Sequence, residues 1–221
     1  MIQVEQIRNF FPPLIRDNPA HQKYLVKEYI QLLILDYLAT TSFIRKMAFI
    51  GGTNLRLIKG IDRFSEDLDF DCKDFTREEF TEMTDAILLY LQRFGLNVEA
   101  RDKISDKLRA SRRNIYFPGF FFSFPVPSDE VICAMKISAL LSRSKGRDFY
   151  DSMFLLGQTT PDYNFLAARN GIHNLSELKS ALTSLFAKIN LSQKARDFEH
   201  LLFEKRNSER ILRFKEFVAE L

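Results

Sequence analysis

Asp67-Leu68-Asp69-Phe70-Asp71-Cys72 alternates acidic and apolar side chains without a break. Alternation with period two is the pattern of a half-buried strand. Leu68, Phe70 and Cys72 are then expected to face the core, and Asp67, Asp69 and Asp71 to line the other face. Same-face neighbours on a strand sit about 7 Å apart at the backbone. The Asp67 and Asp69 carboxylates therefore repel each other unless a cation lies between them. Magnesium suits that place, with manganese as a substitute: it is hard, prefers oxygen, and is commonly shared between one or two carboxylates and substrate phosphates. Asp71 reads either as a third acidic group or as the solvated end of the strand.

Upstream, residues 47–50 read as the end of a first strand, leaving through Gly51-Gly52-Thr53, and residues 54–59 as a brief helix. Paired glycines let a backbone approach an anion closely. Thr53 and the following helix start could donate hydrogen bonds to β- and γ-phosphates. The spacing matches neither a P-loop nor a dinucleotide-binding glycine motif. Arg63 could orient a strand carboxylate or contact phosphate, and Ser65 could cap the bend into the strand. Arg56 and Lys59 add positive charge nearby, or are ordinary surface bases. A glycine pair alone is a simple turn, and an acidic strand alone is a solvated face. Together, with a helix between them, they predict a metal-dependent site for a nucleoside triphosphate.

Outside this stretch, residues 21–40 carry Tyr24, Leu25, Glu28, Tyr29, Leu32, Leu33, Asp36 and Tyr37 at helical spacing. Thr76 followed by Glu79 predicts a capped helix to about Phe94, ended by Gly95. Residues 96–100 read as a strand, 101–113 as a charged connection, and 114–126 as a Phe-rich strand region interrupted by Pro118-Gly119. Ser128 is expected to cap the next helix, with Asp129 and Glu130 at its positive end. Gly146 reads as an interruption before a helix over 147–156. The remainder is expected to be helical, with segments at 175–189, 195–204 and 209–221. This order predicts an α+β chain: residues 1–127 form a catalytic core that includes the N-terminal helix, and residues 128–221 form a helical region completing the active site.

The chain has 221 residues, 46% hydrophobic and 28% charged, with a net charge of +3. That charge is too small to demand a nucleic-acid partner and compatible with one. Cys72 and Cys133 are far apart and fit no metal-ligand spacing, which predicts a reducing, cytoplasmic setting. No signal peptide and no membrane-length apolar run is legible. His21, His173 and His200 form no metal or triad pattern. With 22 Phe and no Trp, aromatic packing is expected to fill much of the core.

A second constellation lies at Lys136, Arg143, Lys145, Arg147, Asp148 and Asp151. On an unbroken helix Lys136, Arg143 and Arg147 would share one face and form a cationic wall for phosphate. Asp148 and Asp151, three apart, could anchor a basic partner, or simply pair with Lys145 or Arg147. The basic run from Arg101 to Arg113 reads either as a grip on an RNA backbone or as a solvated loop.

The stretches 49–55 and 63–70, Phe-Ile-Gly-Gly-Thr-Asn-Leu and Arg-Phe-Ser-Glu-Asp-Leu-Asp-Phe, resemble the first motif of the AbiEii/AbiGii toxin-family nucleotidyltransferases. Residues 134–143 and 145–151 resemble the family's second, basic-acidic region. The resemblance implies a DNA-polymerase-β-like nucleotidyltransferase core with a helical C-terminal domain. It implies a toxin of a type IV toxin–antitoxin pair, with NMP transfer from an NTP to RNA, which in several members is the acceptor end of tRNA. Carried onto this chain, Gly51, Gly52 and Thr53 would cradle phosphate, with Arg63 beside them, and Asp67 and Asp69 would bind magnesium. Lys136 would meet the nucleotide phosphates, and Asp148 would be a further essential acid. Ser65, Arg143, Arg147 and Asp151 would support them. An antitoxin encoded nearby is the implied genetic partner, and no membrane is involved. Residues 115–124 carry no acid where the general pattern expects a third carboxylate, which leaves Glu99 as the nearest strand candidate. The same residues admit two other readings: transfer of a nucleotidyl or phosphoryl group to a protein or small molecule, and an inert NTP-binding scaffold.

Overall fold

The computed structural model describes residues 4–98, 111–186 and 189–221. The chain separates into two compact units. The first comprises Met1–Gly60 and Phe64–Pro127, and the second Ile61–Arg63 and Ser128–Leu221.

The first unit begins with two short helices, α1 (Val4–Arg8) and α2 (Pro13–Arg16), ahead of the long helix α3 (Gln22–Ala39). Strand β1 (Met47–Ile50) runs straight into helix α4 (Gly51–Leu57), and β1 pairs antiparallel with β2 (Asp69–Cys72). Helix α5 (Arg77–Gln92) follows. Thr76 accepts from the Glu79 amide and Glu79 accepts from the Thr76 amide, so the expected reciprocal cap is formed. Strands β3 (Ser111–Phe117) and β4 (Phe120–Val126) form an antiparallel hairpin. It begins three residues earlier than its Phe-rich core suggests.

The core of this unit gathers Leu32, Leu35 and Leu38 of α3 with Met47, Phe49, Phe122, Phe124 and Val126. Phe49, Phe70 and Phe124 meet with ring centroids 5.6–6.0 Å apart. Leu68, Phe70 and Cys72 pack against this cluster as expected. The strand is shorter than the acidic alternation, because Asp67 and Leu68 precede its first paired residue. Asp71 is only 8% exposed, so it is not a solvated strand end. Glu99 and the basic run as far as residue 110 lie outside the described residues.

The second unit is built from α6 (Asp129–Arg143), α7 (Gly146–Leu156), α8 (Tyr163–Asn170), α9 (Leu175–Phe186), α10 (Leu191–Arg196) and α11 (Phe214–Glu220). Short 3-10 turns at Glu199–Leu201 and Lys205–Arg213 replace parts of the expected terminal helices. Ser128 occupies the cap position of α6, but its side chain makes no capping hydrogen bond there. The unbroken helix that would align Lys136, Arg143 and Arg147 does not form. Ser144 takes a left-handed conformation (φ 48°) and closes α6. A Cβ on Gly146 would run into the Lys194 carbonyl, so α7 starts at a residue without one. Ile61–Arg63 joins this unit through an antiparallel bridge between Arg63 and Leu202. The Phe203 amide also donates to the Asp62 carbonyl. Among the described residues no helix is long and apolar enough to cross a membrane.

Candidate active site

In the first unit, the antiparallel register sets Ile50 opposite Asp69. The next residue, Gly51, has φ +81°, and a Cβ there would collide with the Asp69 carboxylate. The acid therefore stands directly over the glycine turn. Gly52, Thr53 and Asn54 are buried at the start of α4. The Thr53 hydroxyl donates to the main-chain carbonyl of Asp67 through a short hydrogen bond. Thr53 thus fixes the segment carrying the acids. The Asn54 amide donates to the Phe49 carbonyl at 2.8 Å and ties α4 back to β1. Asp67 and Asp69 are both exposed. Ser65 is buried, and its carbonyl accepts from Gln31.

In the second unit, Lys136 Nζ donates to Asp151 Oδ2 at 2.9 Å. Arg63 donates to both oxygens of the same carboxylate, each at 2.7 Å. Arg63 and Asp151 are 1% and 0% exposed, and the Lys136 side chain is 11% exposed. Burial alone would push the Asp151 carboxyl up, but the two cations outweigh it and hold the group at about 2. Arg63, expected beside the strand acids, is instead the partner of a helix carboxylate. Asp148 is fully buried. It accepts two bonds from Arg143, at 2.9 and 2.7 Å, and one from the Lys145 amide at 3.1 Å. Arg147 is half-buried.

A family profile described as nucleotidyl transferase AbiEii toxin, type IV TA system, matches residues 33–125 and 111–219. The chain belongs to the AbiEii family. Among solved structures it is similar to MenT4, a nucleotidyltransferase toxin from Mycobacterium tuberculosis H37Rv. That likeness has a TM-score of 0.56 at 15% identity, over 100% of this chain and 91% of that one, and it speaks to the fold. No curated protein matches the chain.

For an AbiEii toxin-family nucleotidyltransferase, the first unit supplies a suitable set of oxygen donors. Asp67 and Asp69 are exposed, and the missing Cβ of Gly51 leaves room for the Asp69 carboxylate. Two carboxylates with substrate phosphate oxygens suit magnesium. Among the described residues no group of three or more His, Cys, Asp or Glu side chains gathers as a metal site.

Three residues of α3 join this site without a motif that marks them in the sequence. Glu28, 1% exposed, accepts from Arg56 Nε and Nη2 of α4, each at 3.0 Å. Gln31 Nε2 donates to the Ser65 carbonyl at 3.1 Å, and Lys27 Nζ to Glu66 at 2.6 Å. The signal for Glu28 was its place on the Tyr24–Leu32 stripe. A carboxylate on an apolar helix face calls for a buried cationic partner.

Proposed function

We propose that this chain transfers an NMP from an NTP to an RNA acceptor, tRNA first among them, using a divalent metal held by Asp67 and Asp69 on a DNA-polymerase-β-like core. The observation that carries this reading is the placement of the Asp69 carboxylate over Gly51. The acceptor hydroxyl oxygen forms a bond to the α-phosphorus, and the bond from that phosphorus to the bridging oxygen breaks. Pyrophosphate leaves with the electron pair, and the hydroxyl proton passes to water. Magnesium, when bound, neutralises triphosphate charge and favours the alkoxide of the acceptor. Asp67 and Asp69 supply its protein ligands, Gly51 leaves room for the Asp69 carboxylate, and Gly52 offers main chain without a side chain where phosphate approaches. Lys136 and Asp148 are proposed to be required for the same reaction, with Asp151 and Arg63 fixing Lys136 and Arg143 fixing Asp148. Family membership supports a toxin role and an antitoxin counterpart.

The test is incubation of the purified chain with total tRNA and each NTP labelled at the α- or γ-phosphate, with magnesium or manganese. The expected result is α-label on tRNA, reduced at least about 100-fold in Asp69→Asn. Label on protein or a small molecule instead, γ-label on any acceptor, or no transfer with any NTP would each overturn the RNA assignment.

A further inference from the structure

Helix α3 carries Lys27, Glu28 and Gln31, and each grips one of the two segments that frame the Asp67/Asp69 site. Glu28 holds Arg56 on α4, the helix that opens with Gly51 and Gly52. Gln31 holds the Ser65 carbonyl and Lys27 holds Glu66, both in the run that delivers Asp67. Positions 27, 28 and 31 are one and four residues apart and occupy neighbouring faces of the helix. The Thr53–Asp67 bond and the β1–β2 ladder also tie the glycine segment to the acidic one. The Glu28–Arg56 pair is bidentate, and its carboxylate is buried. Such a pair fixes geometry more firmly than an exposed pair does.

We propose that Glu28 and Gln31 are positioning residues: α3 acts as a splint that sets the distance between the Gly51-Gly52 turn and Asp67/Asp69, and thereby the affinity of the metal and phosphate site. The inference rests on the reading of Asp67 and Asp69 as metal ligands. Groups behind metal ligands commonly change metal affinity or activity about 10- to 100-fold when replaced. Displacements of about 1 Å have comparable effects on rate.

The experiment measures manganese binding by electron paramagnetic resonance, with and without NTP, in the wild type, Asp69→Asn, Glu28→Gln and Gln31→Met. Thermal melting of each variant is followed in parallel. Gln31→Met removes one grip without leaving a buried charge, so it remains informative if Glu28→Gln does not fold. The expected result is that Asp69→Asn loses the ion, while folded Glu28→Gln and Gln31→Met bind it about tenfold more weakly. NMP transfer in these two is expected to fall in kcat more than KM rises. Wild-type affinity in either folded splint variant, with only its melting temperature lowered, would overturn the splint and leave the metal reading intact. No manganese binding to the wild type, with or without NTP, would overturn the metal reading and the splint with it.

Discussion

The Asp69 carboxylate fills the space that a Cβ on Gly51 would need. Gly51 also has φ +81°, a region in which an L side chain is strained. Gly51→Ala therefore meets two penalties: about 1–2 kcal/mol of backbone strain and displacement of the acid. Gly60→Ala is the control, because Gly60 has φ +71° but no atom within 4 Å of an added Cβ. In urea denaturation both variants should lose about 1 kcal/mol or more. Only Gly51→Ala should also weaken manganese binding.

Asp151→Asn would leave two buried cations, Arg63 and Lys136, without their anion. Breaking a buried pair from one side costs about 3–5 kcal/mol. Asp148→Asn should cost less, on the order of 1–2 kcal/mol, because its partner Arg143 is 44% exposed and can rehydrate. Equilibrium unfolding of the two variants side by side checks this order.

The same cluster sets an acid limit. Burial would raise the Asp151 carboxyl, but Arg63 and Lys136 hold it at about 2, against an ordinary 3.8. A depressed folded pKa means that the stabilisation is complete above the unfolded value and is lost as pH falls from about 4 through about 2. The amount is about 2 kcal/mol. Stability of the wild type measured against pH should fall across that window, and the Asp151→Asn profile should lack this contribution.

Cys133 is inert in the folded protein. Burial, with Glu130 adding to it, pushes its thiol up to about 12. Almost no thiolate exists at pH 8, and access is closed. Iodoacetamide at that pH should leave Cys133 unmodified in the native chain and alkylate it after denaturation, read by peptide mass. Rapid native labelling at Cys133 would contradict its burial.

What could be read along the chain was local. The Thr76–Glu79 cap, strand β1 and helix α3 each follow from residues within one or two turns of each other. The acidic alternation pointed to β2 and to the core faces of Leu68, Phe70 and Cys72. It could not reveal that pairing begins at Asp69, because β1 ends opposite it at Ile50 and the chain turns into α4 at Gly51. The register that stacks Asp69 over Gly51 is likewise a product of strand pairing. Gly146 marked the break before α7 in the sequence, but the approach of the Lys194 carbonyl to it, from about fifty residues downstream, is something no helical period reports. Arg63 sits beside the acidic motif in sequence, yet its partner is 88 residues away. Charge alone offered it several partners, and only the fold selects Asp151.

That last separation has a consequence for inheritance. Ile61–Arg63 is encoded between the two motifs of the first unit but belongs to the second. When residue 127 leaves the ribosome, the acid that will receive Arg63 has yet to be made. The two halves of the gene are therefore interleaved. A recombination event that exchanges residues 128–221 alone divides the second unit and parts Arg63 from the Asp151 it pairs with in this chain.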